Sequence, residues 1–265
     1  MKVRQFFIHK KRPVWYHSTV KKRKERKAGV PAEKGMEINI LQLVEGAKAA
    51  RGLTVIIDVF RAMTVEAYIM RGNAAVLYPV GDKDLAYRYK EEHPEAILVG
   101  ERNGVMLPGF DFGNSPSQVK NVDFTGKTVV HTTSAGTQGT ANAKGASEII
   151  TGALVNAKAI ARYIRKKNPE TVSLVCMGLN AERPIEEDTL CAEYIRSLLL
   201  GDPIDPRKEI PHLKETSGAK FFDPKNRTVF PEEDFHLSVE PDVFDFVLRV
   251  ETDANGFQSV KKIEV

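Results

Sequence analysis

Between residues 36 and 200 short apolar runs alternate with amphipathic stretches, and that alternation sets the fold class. Glu37–Leu43 alternates polar and apolar positions, as a half-buried strand does. Leu53–Val59 (LTVIIDV) is a near-continuous β-branched run, expected of a strand covered on both faces. Ala62–Met70 reads as a helix, Ala75–Val80 as a strand, and Asp82–His93 as a helix capped by Asp82 and ended before Pro94. Ala96–Val99 is a buried strand leading into Gly100-Glu101-Arg102-Asn103-Gly104 and a long polar loop, Glu101–Asn114. That loop closes on Ser115-Pro116, a cap followed by proline at the first helical position.

Lys127–His131 is the next strand, and the glycine- and hydroxyl-rich turn after it opens a short alanine-rich helix. Glu148–Thr151 is a short strand. Asn156–Lys167 is a helix with Ala157, Ile160, Ala161 and Ile164 on one face, and Thr171–Cys176 is a buried strand. After the turn Met177–Ile185 a helix runs from Glu186 or Glu187 to Leu200. Beyond Gly201 the pattern is irregular until the strand-like Phe244–Glu251 and Ser259–Val265. Strands alternating with helices predict an α/β protein, layered α/β/α around a mostly parallel or mixed sheet. Residues 36–265 read as one domain, with a two-lobed form left open.

In such sheets ligands gather at the carboxyl ends of strands. Four strands here end in unusual polar chemistry: Asp58 with Arg61, Glu101 with Arg102, His131 with Thr132-Thr133-Ser134, and the turn before Glu186-Glu187-Asp188. The stretch VVHTTSAGTQG (Val129–Gly139) has the make-up of an anion cradle, because glycine lets the backbone N–H groups approach an oxyanion. Its plainer reading is a β–α turn with Thr or Ser as cap. Asp58, Glu101, Asp111 and the Glu186–Asp188 group are the oxygen ligands a hard cation such as Mg²⁺ needs. First-turn acids also stabilise a helix dipole without any metal, and Asp58 also suits a structural pair with Arg61. Arg61 and Arg102 carry planar forks that fit phosphate, sulfonate or carboxylate oxygens. His131 is more often a satisfied structural histidine than an acid–base group at such a place. Cys176 and Cys191 sit in apolar runs, as packing residues do.

Charge divides the chain. Residues 1–35 hold twelve Lys and Arg against two Glu, whereas the remainder holds 27 basic and 33 acidic residues. The leader, with its KKRKERK run, reads as a disordered extension, upstream sequence ahead of a start at Met36. A basic arm for nucleic acid, a membrane surface or transit are its competing readings. The 265 residues suffice for a full core, no apolar run reaches the roughly 20 residues of a membrane span, and two cysteines suggest a reducing, cytoplasmic setting. A homo-oligomer is left open.

No Cys-x₅-Arg loop, Arg-His-Gly, Walker loop or Gly-x-Gly-x-x-Gly occurs, which removes thiol and histidine phosphatase, kinase and dinucleotide readings. Four motifs do occur in order: IDVFRAMT (Ile57–Thr64), GERNG with PGFDFGNSP (Gly100–Gly104 and Pro108–Pro116), HTTSAGTQG (His131–Gly139) and EEDTLCAE (Glu186–Glu193). Together they resemble the 2-phosphosulfolactate phosphatase family from about Met36 to Ile195. The resemblance implies a family-specific α/β fold and a Mg²⁺-dependent hydrolysis of 2-phospho-3-sulfolactate to 3-sulfolactate, a step of coenzyme M synthesis.

On that basis Asp58, Glu101 and Asp188 or its neighbours are expected to hold Mg²⁺. Thr132, Thr133, Ser134, Gly136 and Thr137 would hold the phosphoryl group, Arg61 and Arg102 would clamp a small anionic substrate, and Glu187 would position or deprotonate the attacking water. Many members read Thr-Thr-Asn-Gly-Thr-Arg where this chain has Thr133-Ser134-Ala135-Gly136-Thr137-Gln138. One amide and one cation fewer leave two alternatives: a phosphatase for a different phosphorylated acid, or a non-catalytic anion-binding relative.

Overall fold

The computed structural model describes residues 35–254 and 256–265, so the reading of residues 1–35 as a leader lies, Gly35 apart, outside the described residues. Ten strands are found among them: β1 (Glu37–Gln42), β2 (Gly52–Ile57), β3 (Val76–Pro79), β4 (Ile97–Arg102), β5 (Val105–Met106), β6 (Thr128–Thr132), β7 (Ala146–Gly152), β8 (Thr171–Cys176), β9 (Phe246–Thr252) and β10 (Gln258–Glu264). Between them lie helices α1 (Leu43–Ala49), α2 (Ala62–Arg71), α3 (Lys83–Glu92), α4 (Pro116–Val119), α5 (Gly136–Asn142), α6 (Ala157–Lys167), α7 (Glu186–Leu200), α8 (Ile210–Glu215) and α9 (Glu232–Val239).

The strands form one mixed sheet in the order β1-β8-β2-β7-β9-β10-β3-β6-β4-β5. β1, β8, β2 and β7 are mutually parallel, and so are β3, β6 and β4. The β9–β10 hairpin separates these blocks through three successive antiparallel pairings, so the blocks run in opposite senses. Strand twist of roughly 20–25° per step turns β6 by on the order of 100–125° relative to β2. Opposite senses combined with that rotation leave the blocks closer to perpendicular than to head-on, and their carboxyl ends can reach a common cavity.

β2 shows why its residues form a strand buried on both faces. Val55 and Ile160 of α6 crowd Gly152, whereas Ile56 and Met177 crowd Gly139 of α5. Successive side chains of a strand point to opposite faces, so α5 and α6 cover opposite sides of the sheet, the layered arrangement the pattern predicts. Val55, Ile56 and Ile57 are all fully buried. A smaller apolar cluster of Val80, Ala86, Leu98, Leu107, Phe110 and Val130 packs α3 against β4 and β6.

The expected elements are present, with shifted ends. β4 extends through Gly100, Glu101 and Arg102 instead of stopping at Val99, which puts Glu101 on the strand itself. Leu43 begins a helix and not the end of a strand, with a φ of +63° at the break. Ser115 stands at the α4 N-cap, but its hydroxyl makes no cap and donates to Asp234 Oδ1 at 2.7 Å. The segment read as irregular after Gly201 holds α8, α9 and three 3₁₀ turns, two of them entered through Asp-Pro pairs at Asp205-Pro206 and Asp223-Pro224. No described helix is long and apolar enough to cross a membrane.

Candidate active site

The ends of β2, β4, β6 and β8 open on one cavity of about 440 Å³, closed on its far side by the Gly178–Ile185 turn and the Thr216–Phe230 segment. It brings together Asp58, Arg61, Glu101, Thr133, Ser134 and Glu187 of the expected residues. Its other polar walls come from Asn103, Asn114, Arg183, Ser217 and Lys220. Arg102, Thr132, Gly136, Thr137 and Asp188 do not line it.

The carboxylates divide into two kinds. Glu101 accepts the Ser134 N–H on Oε1 at 2.8 Å, and on Oε2 the Gly104 N–H at 2.6 Å and the Ser134 hydroxyl at 3.2 Å. The N–H and hydroxyl of Ser134, expected to cradle a phosphate, thus already hold an anion, the protein's own. Asp188 is fully buried, and its two oxygens accept the Val59 and Gly178 N–H groups, each at 2.8 Å, tying the end of β2 to the end of β8. It is a brace behind the cavity wall. Glu186 turns outward to Thr216 and His212, and Asp111 accepts the Leu98 N–H at 2.8 Å beside Lys90, away from the cavity.

Asp58 and Glu187 are the other kind. Both line the cavity, and neither oxygen of the buried Glu187 meets a donor in good hydrogen-bonding geometry, although the Ser217 hydroxyl, itself unpartnered, lies beside it. Burial, then the neighbouring charges of Asp188, Glu101 and Glu187, push the Asp58 carboxyl well above its ordinary value, with Lys220 pulling the other way. Burial raises Glu187 as well, offset in part by Ser217 and Lys220. Burial and then Glu187 push Asp188 up to about 8 against its two amide donors. Three acids sharing one desolvated corner are electrostatically frustrated.

Gly136 packs against this corner. A Cβ there would lie 2.7 Å from Met63 Cε and 3.2 Å from Asp58 Oδ2. Ala62 Cβ would lie at 3.1 Å, so glycine lets the loop pack close against Asp58 and the start of α2. Thr133 and Thr137 bond one another, with the Thr137 hydroxyl donating to the Thr133 carbonyl at 3.1 Å.

Arg61 is 3 % exposed and held on four sides. Nη1 donates to the Val229 carbonyl at 2.7 Å and lies 3.5 Å from Asp234 Oδ2, Nη2 donates to the Gly104 carbonyl at 3.2 Å, and the guanidinium stacks 4.6 Å from the Phe230 ring centre. The expected pairing with Asp58 is replaced by one with Asp234, whose Oδ1 also takes the Ser115 and Ser117 hydroxyls and the Ser117 N–H. Arg102 faces away: its guanidinium donates to the carbonyls of Glu101 and Gly81 and to the Thr132 hydroxyl at 2.7–2.9 Å. Gln138 points its amide at Gly81, outside the cavity, whereas Ala135 lines it.

Lys220 was invisible to motif reading. Its ammonium lies 5.3–5.7 Å from the ring centres of Phe60, Phe221 and Phe230 and faces Glu187 and Asp58. Burial lowers its pKa, and those carboxylates hold it partly up. Sequence signals for this wall did exist: the Asp-Pro helix starts and the Phe-rich spacing of Phe221, Phe222, Phe230 and Phe235 mark a packed segment.

A deep polar cavity with two uncommitted carboxylates, a buried arginine and a caged lysine suits a phosphate ester and a divalent cation. The family model for 2-phosphosulpholactate phosphatase matches residues 38–252. The chain belongs to that family. A probable 2-phosphosulfolactate phosphatase of Bacillus subtilis is 31 % identical over 222 residues, covering 82 % of this chain and 95 % of its own. One from Carboxydothermus hydrogenoformans is 38 % identical over 165 residues, covering 62 % and 68 %, and one from Thermoplasma volcanium is 27 % identical over 215 residues, covering 78 % and 94 %. The family match spans all four strand-end motifs and the whole segment that supplies Lys220, so the entire cavity wall lies inside it.

Proposed function

We propose that this protein is a Mg²⁺-dependent phosphomonoester hydrolase that releases phosphate from 2-phosphosulfolactate. The observation that carries the reading is the facing of Asp58 and Glu187 by Arg61 and Lys220 across one cavity, in a chain of this family. Two carboxylates are what Mg²⁺ ordinarily takes from a protein, since it keeps waters and phosphate oxygens as its remaining ligands. No group of three or more His, Cys, Asp or Glu stands ready for a metal among the described residues. The expected ligand set therefore contracts: Glu101 and Asp188 are occupied by N–H donors, and Asp58 and Glu187 would hold the ion. When bound, Mg²⁺ supplies charge stabilisation on the phosphoryl oxygens.

The chain's own residues do the rest. Arg61, already fixed by Asp234 and Phe230, presents a preorganised cation to the phosphoryl oxygens. Lys220 supplies a second positive charge from its aromatic cage. Through the oxygen left free of the ion, Glu187 would position a water and take its proton as the water oxygen bonds to phosphorus. The bond from phosphorus to the C2 oxygen of sulfolactate breaks, and that oxygen is protonated from solvent in the open cavity. Arg183, on the exposed rim, faces the carboxylate and sulfonate ends of such a substrate. The substrate carries three acidic groups, and this cavity meets them with Arg61, Lys220 and Arg183. The glutamine at position 138 removes no charge from it.

The test is phosphate release from 2-phosphosulfolactate and a panel of phosphomonoesters, with Mg²⁺ and after chelation. Mg²⁺-dependent turnover with 2-phosphosulfolactate preferred supports the reading. Equal rates on uncharged-tail phosphomonoesters overturn the substrate, and turnover indifferent to chelation overturns the cation.

A further inference from the structure

His131 stands at the end of β6 with none of its surface exposed, and its ring lies between two polar side chains. Nδ1 is 3.2 Å from Glu66 Oε1 on α2, and Nε2 is 3.2 Å from Asn114 Oδ1. Glu66 is also fully buried, and its Oε2 accepts the Thr151 hydroxyl at 3.0 Å. A continuous buried chain, Thr151–Glu66–His131–Asn114, therefore crosses the core and ends at the cavity, which Asn114 alone of the four lines. A buried carboxylate and imidazole are costly to place in an apolar core, and here each has polar partners at 3.0–3.2 Å.

Asn114 presents its Oδ1 to His131 Nε2, and which of the two nitrogens of the ring donates follows from its tautomer. With Nε2–H as the donor, the Asn114 amide turns its NH₂ away from the histidine. Among the described residues that NH₂ has no protein acceptor. A planar donor held at the wall of a site built for oxyanions is a ready phosphoryl or sulfonate contact.

We propose that Asn114 is a substrate-binding residue, donating from its amide to an anionic oxygen of the substrate, and that His131 and Glu66 are positioning residues that hold it in that pose. This deepens the phosphatase reading and rests on it for the identity of the substrate. It also assigns His131 a part in the site without acid–base work.

The experiment is a double-mutant cycle with steady-state kinetics on 2-phosphosulfolactate and calorimetric binding of inorganic phosphate. Losing one hydrogen bond to a charged oxygen predicts that Asn114→Ala raises KM by about ten- to a hundredfold, with kcat changed less. His131→Asn keeps the Nδ1-side contact with Glu66 and loses the donor to Asn114, so it reproduces the KM rise. His131→Gln keeps a donor near the Nε2 position and recovers part of it. Combined with Asn114→Ala, His131→Asn adds little further, because both remove one interaction. Wild-type KM in a folded Asn114→Ala protein, or multiplicative effects in the double variant, overturns the proposal. If His131→Asn does not fold, the isosteric Glu66→Gln takes its place in the cycle under the same criteria. A wild-type chain that binds inorganic phosphate yet leaves 2-phosphosulfolactate intact overturns the phosphatase reading instead. The Asn114 assignment is then decided by phosphate affinity: weakened in Asn114→Ala it stands, unchanged it falls.

Discussion

The two parallel blocks of the sheet meet at one cavity in opposite electrostatic condition. On the β4–β6 side the carboxylate of Glu101 is saturated by the Ser134 and Gly104 amides and the Ser134 hydroxyl, and Arg102 is saturated by carbonyls. On the β2–β8 side Asp58, Glu187 and Asp188 crowd together, and Glu187 meets no donor in good hydrogen-bonding geometry. One side is a finished piece of structure, and the other keeps carboxylates in mutual repulsion. The difference teaches that a carboxylate at a strand end is not marked as a reacting group by its residue type: its vacant hydrogen-bonding capacity marks it.

The sharpest way to break that comparison is to neutralise the frustrated side. Glu187→Gln should lower kcat by about 10²–10⁴-fold, as loss of a positioned base does, while raising thermal stability by removing a buried charge that no well-placed donor holds. A variant equally active, or one less stable than the parent, would place Glu187 on the finished side with Glu101. Next comes the caged cation. Lys220→Met keeps the stem's packing against Phe60, Phe221 and Phe230 but removes the charge. The expected cost is about ten- to a hundredfold in kcat/KM, with Lys220→Arg intermediate, measured on the same substrate.

Much of this arrangement is legible in the sequence because local physics and tertiary packing agree. β8 (Thr171–Cys176) and α7 (Glu186–Leu200) have the bounds their patterns dictate, since a β-branched run buried on both faces and an acid-led, Gly201-ended helix need no tertiary help to be read. What the pattern conceals is pairing across long separations. Arg61 beside Asp58 in sequence suggests a local pair, yet its partner is Asp234, and the Ser115 hydroxyl that should cap α4 also goes to Asp234. Lys220 escapes for the same reason: its role depends on three phenylalanines and two carboxylates gathered from distant segments.

The frustrated side also has a pH signature. Asp58, Glu187 and Asp188 all lie above their ordinary values in the folded protein, Asp188 reaching about 8 from 3.8. The native state therefore binds more protons than the unfolded chain across that window. Stability is fully present below the unfolded values and is lost as pH rises toward about 8. Metal-free protein should show a melting temperature that declines between about pH 5 and pH 8, less steeply in Asp58→Asn than in wild type. Added Mg²⁺ should reduce the decline and release protons on binding, read by calorimetry in buffers of different ionisation enthalpy. A melting temperature that climbs through this range would show the three acids to be paired after all.

The smallest effect belongs to the finished side, and it is the one that sets Arg102 apart from Arg61. Arg61 follows β2 and Arg102 ends β4, and both have the fork that grips phosphate. Arg102 donates to Glu101 O, Gly81 O and Thr132 Oγ1, knitting the ends of β4 and β6 to the start of α3, and lies off the cavity. Arg102→Ala leaves those acceptors without their donor and should cost about 1–2 kcal/mol of stability, seen in denaturant unfolding. KM for the substrate should stay within about twofold, since no cavity-facing donor is lost. Arg61→Ala should do the reverse in kind, raising KM while also stranding Asp234 without its counter-charge. If Arg102→Ala instead weakens substrate binding as strongly as Arg61→Ala does, the finished side takes part in recognition and the division between the two blocks is wrong.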